Sequence, residues 1–219
     1  INPIVGDLEG NGRTIIDYAR RAHAQGASLV VFPELCVVGY PPQDLLENAA
    51  FLEAAEHAVA WIAAQVPPEV GIIIGAPVAN PAPVGKRVFN TAFLYEGGKR
   101  IARVDKALLP TYDVFDEYRY FEPAAACRPV EWRGLRLGLH ICEDMWNNQE
   151  FASYHLYARN PVDELAAQGI DLFVNISASP FALGKHAQRN RLVVTSLSLS
   201  VLLMLGGMAA AAFWTCSRT

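Results

Sequence analysis

Three positions in this sequence could together carry out acyl transfer at a carboxamide. Glu34 follows an apolar run in Phe32-Pro33-Glu34-Leu35, Lys106 ends Val104-Asp105-Lys106, and Cys142 opens Cys142-Glu143-Asp144. They lie 72 and 36 residues apart. Between them they supply a nucleophile, a base and a cation. A free thiol is mostly protonated at neutral pH, with a reference pKa near ~8.5. A nearby lysine favours the thiolate, and a glutamate can take the thiol proton and later activate water. The same lysine, with a backbone N–H, can hold the oxyanion of a tetrahedral intermediate. Each residue alone also fits a plain role: a loop carboxylate, a solvated lysine, a small buried cysteine. A second pairing is open, His140 with Cys142, two apart on one strand and so on one face. No Gly-x-Cys-x-Gly turn accompanies it.

The elements that must position these residues alternate. Asn11 to Gln25 predicts a helix, with Ile15, Ile16, Ala19 and Ala22 at helical spacing and Gly26 as its stop. Ser28 to Phe32 predicts a buried strand. Asn48 to Val66 predicts a second helix, striped by Phe51, Ala55, Val59 and Ile62 and ended by Pro67-Pro68. Gly71 to Ala76 predicts a strand and Pro77 to Lys86 a surface loop. Thr91 to Tyr95 and Lys99 to Val104 flank Gly97-Gly98 as a hairpin. Leu135 to Ile141 alternates as a strand with one apolar face. Asn160-Pro161 caps a helix that Gly169 closes, and Asp171 to Ile176 is a further strand. Helices interleaved with apolar strands give an α/β or layered α+β class.

Composition narrows the function. The chain has 219 residues, 52% of them hydrophobic, which suits a folded domain with a sizeable core. Eighteen basic residues stand against 22 acidic ones, a formal charge of −4 without a basic block, so no nucleic-acid partner is expected. Cysteines at 36, 127, 142 and 216 have no paired zinc spacing, and no HxH or HExxH is present. No metal is expected, and the cysteine pattern fits a reducing, cytoplasmic setting. Leu192 to Ser217 carries no charge. That run could span a bilayer by length, but its serines and threonines favour buried strands, and no membrane partner is expected.

These residues resemble the nitrilase superfamily, whose triad is Glu-Lys-Cys. More narrowly, the chain is similar to the glutamine-amidase domains of glutamine-dependent NAD synthetases. Further stretches carry the narrower resemblance: Asn2-Pro3-Ile4-Val5-Gly6-Asp7, Gly39-Tyr40-Pro41-Pro42-Gln43-Asp44-Leu45, and Lys106 to Tyr112. Val114-Phe115-Asp116-Glu117-Tyr118-Arg119-Tyr120-Phe121, Cys142-Glu143-Asp144-Met145-Trp146, and Ser177 to Phe181 with Gly184-Lys185 complete it. The resemblance implies a four-layer αββα sandwich with the triad at strand ends. It implies hydrolysis of the glutamine side-chain amide through a thioester, Cys142 attacking, Glu34 as general base and Lys106 holding the intermediate with the Glu143 N–H. Tyr112, Ser179 and Lys185 match positions that hold glutamine, and Glu117 matches a glutamate that orients Lys106. The amidase step would need no cofactor.

The resemblance covers residues 1 to 195 and departs at both ends. The family's first strand before Asn2-Pro3 is missing, and residues 196 to 219 are an atypical segment of the same domain whose bland Ser-Leu and alanine runs are doubtful as sequence. No Ser-Gly-Gly-x-Asp-Ser phosphate loop is present. ATP and Mg are therefore expected only for a synthetase domain absent from this chain, fused to it or associated with it. A homo-oligomer is also expected. Two other readings stay open: a free-standing amidase or carbamoylase on another small amide, and an inactive assembly domain.

Overall fold

The computed structural model describes residues 1–112, 115–147 and 157–178, and the backbone of 201–206. Helix α1 (Leu8–Ala24) starts three residues before the expected Asn11, because the Asp7 side chain caps it by accepting from Gly10 N at 2.9 Å. Strand β1 (Leu29–Val31) follows. Helix α2 (Ala49–Gln65) is capped by Asn48, which accepts from Ala50 and Phe51. Strands β2 (Gly71–Ala79), β3 (Val88–Glu96) and β4 (Lys99–Asp105) complete a sheet of order β1-β2-β3-β4. β2 runs past Ala76 through Pro77, which was expected in a loop. β1 ends opposite Ile73, so Pro77 lies where β2 has no strand on that side, and a residue without an N–H is tolerated there.

The second sheet has the order β5-β6-β7-β8, and each of its strands comes from later in the chain. The short helix α3 (Glu117–Tyr120) precedes β5 (Val130–Trp132) and β6 (Leu135–Ile141). β5 is only three residues long, too short for a period to register, and a turn at Arg133-Gly134 with φ +48° and +77° joins it to β6. Helix α4 (Pro161–Ala166), capped by Asn160 as expected, leads to β7 (Leu172–Ser177) and then β8 (Val201–Gly206). β8 falls inside the uncharged run and pairs in parallel with β7. The rest of that run lies outside the described residues. Among the described residues no helix is long and apolar enough to cross a membrane.

Alternation along the strands builds three apolar layers. Ile72, Ile74 and Ala76 face α1 and α2, where Ile15, Ala19, Val59 and Ile62 meet them. Ile73, Ala92 and Leu94 face the other sheet, against Leu137, Leu139, Ile141, Val174 and Ile176. Phe173 points outward onto Val162 and Leu165 of α4. The result is the expected αββα sandwich, in which each fully buried Ile or Leu contributes roughly 1.5–3 kcal/mol. A strap closes one edge: Trp132 Nε1 donates to Glu96 at 2.8 Å, and Arg133 pairs with the same carboxylate.

Gly75 sets the path of the chain that carries Glu34. A Cβ there would lie 2.4 Å from Leu35 N and 3.1 and 3.2 Å from Glu34 C and Cα, all closer than ordinary van der Waals contact. The chain after β1 can therefore lie flat on β2, with Val37 N donating to Gly75 O at 3.1 Å. Gly75→Ala is expected to push Glu34 outward and to cost about 2–3 kcal/mol of stability. A variant with wild-type thermal midpoint and turnover would remove Gly75 from this role.

Candidate active site

Both sheets present their strand ends at one place. Glu34 follows β1, Lys106 follows β4 and Cys142 follows β6, and all three are buried. Lys106 Nζ donates to Glu34 Oε1 at 2.8 Å and to Glu117 Oε1 and Oε2 at 2.9 and 2.7 Å, with none of its side chain exposed. Glu34 Oε1 also accepts from Asn90 Nδ2 at 2.8 Å, and Oε2 from Ala178 N at 3.0 Å. Tyr40 OH donates to Glu117 Oε1 at 2.8 Å. Ser177 Oγ donates to Cys142 Sγ at 3.3 Å.

One ammonium is thus shared between two buried carboxylates. Burial works against the charged lysine, yet Glu117 and Glu34 hold it well above the usual lysine range. The second carboxylate leaves an excess negative charge. Burial, helped by Glu34 and opposed by Lys106, pushes Glu117 up to about 7. The thiol of Cys142 is raised as well, by burial first and then by Glu34, although Lys106 opposes both. The expectation that lysine would favour the thiolate holds in sign but is outweighed. The sulfur rests protonated, so a base is required. Cys142 stands at φ +44°, a region costly for a residue with a Cβ, as β6 breaks into a single 3-10 turn (Cys142–Met145).

That turn also decides the His140 pairing. The strand ends at Ile141, so the two-residue rule no longer puts His140 and Cys142 on one face. Cys142 joins the layer between the sheets. His140 packs edge-on to Phe173 on the α4 side, with Nδ1 3.0 Å from Gly138 O. Burial lowers its imidazole to about 4. A histidine lowered on folding stabilises fully above its unfolded value, and that stability is lost as pH falls toward the folded one. His140→Gln should therefore flatten the fall in stability between about pH 6.5 and 4, a difference of about 3 kcal/mol across that window. Urea unfolding at both ends of the window checks this; parallel slopes for the two proteins would refute it.

The expected substrate-holding residues divide. Glu143 is buried behind Cys142, and Tyr112 OH donates to its Oε1 and Oε2 at 2.9 and 2.8 Å. Burial raises the Glu143 carboxyl, against the pull of these phenols. Tyr157 OH adds a third contact at 3.3 Å. Ser179 and Lys185 lie outside the described residues. Asn90, Ser177, Tyr40 and Tyr157 were not singled out as site residues from sequence. A polar Asn90 inside the apolar run Val88 to Leu94 was the available sign for the first. Among the described residues no group of three or more His, Cys, Asp or Glu could hold a metal ion.

Comparison with known proteins gives the family and the fold. The Carbon-nitrogen hydrolase family matches residues 1–196. Glutamine-dependent NAD(+) synthetase of Synechocystis sp. is 41% identical over 196 residues, covering 88% of this chain and 35% of that protein. The enzyme of the same name from Xanthomonas campestris is 36% identical over 217 residues, 95% of this chain and 36% of the relative. This chain therefore spans about a third of the length of these relatives. A solved glutamine-dependent NAD+ synthetase from Acinetobacter baumannii, in complex with ADP, superposes with a TM-score of 0.75 at 29% identity, covering 90% of this chain and 35% of its own. An amidase from Nesterenkonia sp. superposes at 0.72 with 23% identity, over 94% of this chain and 72% of its own, and shares the fold. With a buried glutamate, lysine and cysteine at the strand ends of an αββα sandwich and a family match across nine-tenths of its length, the chain belongs to the carbon-nitrogen hydrolases.

Proposed function

We propose that this chain hydrolyses the side-chain amide of glutamine to glutamate and ammonia. The observation that carries the reading is the fully buried Lys106 ammonium, shared by Glu34 and Glu117, with Cys142 buried at a neighbouring strand end. Cys142 passes its proton to Glu34 as the sulfur attacks the amide carbon. Glu34 Oε1 already accepts from Lys106 and Asn90, while Oε2 accepts only from Ala178 N among the described residues, so Oε2 is the oxygen that takes the proton. Lys106 Nζ and the Glu143 N–H hold the oxyanion. Glu34 returns the proton to the departing nitrogen, and ammonia leaves a thioester on Cys142. Water then gives a proton to Glu34 and attacks the thioester. The sulfur leaves, recovers that proton from Glu34, and glutamate is released.

Glu117 orients Lys106 and remains outside the proton transfers. Tyr112 and Glu143 face the amino-acid end of glutamine, and the resemblance assigns Ser179 and Lys185 to holding the same substrate. No cofactor enters. The identity with glutamine-dependent NAD(+) synthetases supports glutamine as the amide and an ATP- and Mg-using synthetase domain as the consumer of the ammonia. Release of ammonia and glutamate from glutamine, compared with release from asparagine and from propionamide, tests the reading. Glutamine should be preferred over propionamide by at least about 100-fold in kcat/KM, since a site built for the charged end rejects an amide that lacks it, and over asparagine by about 10-fold or more, since the shorter chain cannot bring its amide to Cys142 while the charged end is held. Equal or better turnover of propionamide would overturn glutamine as the substrate and leave a general amidase.

A further inference from the structure

Asp144 is a buried carboxylate that the reaction above leaves without a role. It is 2% exposed. Its Oδ1 accepts backbone N–H groups from Ala107 at 3.0 Å and Leu108 at 2.8 Å, and its Oδ2 accepts from Ile141 at 2.9 Å. Ala107 and Leu108 directly follow Lys106, beyond the end of β4 in the first sheet. Ile141 directly precedes Cys142, at the end of β6 in the second. One carboxylate therefore fastens the backbone beside the ammonium to the backbone beside the thiol. The attachment is made to main chain, so it fixes where each side chain starts.

We propose that Asp144 is a positioning residue that sets the separation of the Lys106 ammonium from the Cys142 sulfur by tying the two strand ends together. It touches neither the sulfur nor the amide carbon. Its three acceptor contacts need both oxygens as acceptors. An amide in its place turns one of them into a donor that faces a backbone N–H, and one sheet's attachment is lost. The thiol then sees less of the ammonium, while Glu34 and Glu117 continue to oppose its ionisation and Ser177 still donates to it.

This inference rests on the amide-hydrolysis reading for its turnover arm alone. The experiment compares wild type with Asp144→Asn and Asp144→Glu, each checked for a folded near-UV circular dichroism spectrum. The Glu variant keeps the charge and lengthens the arm. Asp171→Asn is the control, because Asp171 Oδ2 also accepts a backbone N–H, from Arg136 at 2.7 Å, in a place that joins nothing to the triad. For both Asp144 variants, kcat on glutamine is expected to fall about 100-fold, the cost of roughly 1 Å of misplacement, with KM changed less than about twofold. Iodoacetamide labelling of the Cys142 peptide, followed from pH 6 to 11, reads the thiol without any amide substrate. Its profile should move to higher pH in both variants, because the ammonium recedes. Loss of a negative charge alone would move the Asn profile to lower pH and leave the Glu profile in place. That pattern, or unchanged profiles with only a lowered thermal midpoint, would overturn the proposal. If wild type releases no ammonia from glutamine while the labelling profiles still move upward, the substrate reading fails and the role of Asp144 stands.

Discussion

Lys106→Met is expected to lower stability by about 3–5 kcal/mol and to abolish turnover. Methionine keeps most of the volume but leaves Glu34 and Glu117 facing each other in a dry interior with no cation between them. Removing one partner of a buried pair costs more than the pair was worth, because an uncompensated charge stays behind. Here two carboxylates stay behind, and Glu117, already pushed up to about 7 beside the ammonium, is driven to its protonated form without it. The second substitution Glu117→Gln should recover part of the stability without recovering activity, since the carboxyl that must otherwise take up a proton is then gone while the ammonium is still missing. Acidification should act in the same direction on the single variant as Glu117 takes up a proton. Urea unfolding of the single and double variants, with ammonia release, measures both effects. A single variant with wild-type midpoint would mean that water reaches these carboxylates, contrary to the burial described.

Cys142→Ala separates the two properties. Turnover should fall by at least about 10⁴-fold, as expected when the nucleophile of a cooperating set is removed. Stability should change by less than about 1 kcal/mol, because the thiol contributes one weak contact, to Ser177. Cys142→Gly should be equally inactive yet more stable than the alanine variant by about 1 kcal/mol, since glycine relieves the positive φ that the turn imposes. Thermal unfolding and ammonia release on the two variants provide the check. An alanine variant that keeps turnover would move the nucleophile elsewhere. A glycine variant less stable than alanine would show that packing of the Cβ outweighs the backbone strain.

The layered architecture was legible because it rests on local signals. Helical stripes, the Asn160 cap and the Gly97-Gly98 hairpin each depend on residues close together in the chain. β5 and the last three residues of β2 were not legible, because a partner strand defines them: Val130–Trp132 is too short to carry a period, and Pro77 reads as a loop until its unpaired edge is known. In the site, the residue types that do chemistry stood out at strand ends. The residues that orient them did not. Asn90 and Ser177 look like ordinary polar positions until the fold brings Glu34 and Cys142 to them. The strand parity that seemed to join His140 to Cys142 failed because the period of two stops where the strand stops. The balance of forces on the thiol was also out of reach, since the sign of Lys106's influence follows from charge alone while burial follows from the whole fold.

Each sheet of the sandwich is drawn from one continuous half of the chain, β1 to β4 before residue 106 and β5 to β8 after residue 129. The ribosome therefore delivers Glu34 and Lys106, the base and the cation of the proposed reaction, well before the sulfur. Amino-terminal elements are synthesised first and begin to fold first. Until the second half docks, Glu34 lacks the Ala178 N–H and Lys106 lacks any thiol to influence. A chain made only as far as the first sheet places Glu34 and Lys106 together with no Cys142 beside them.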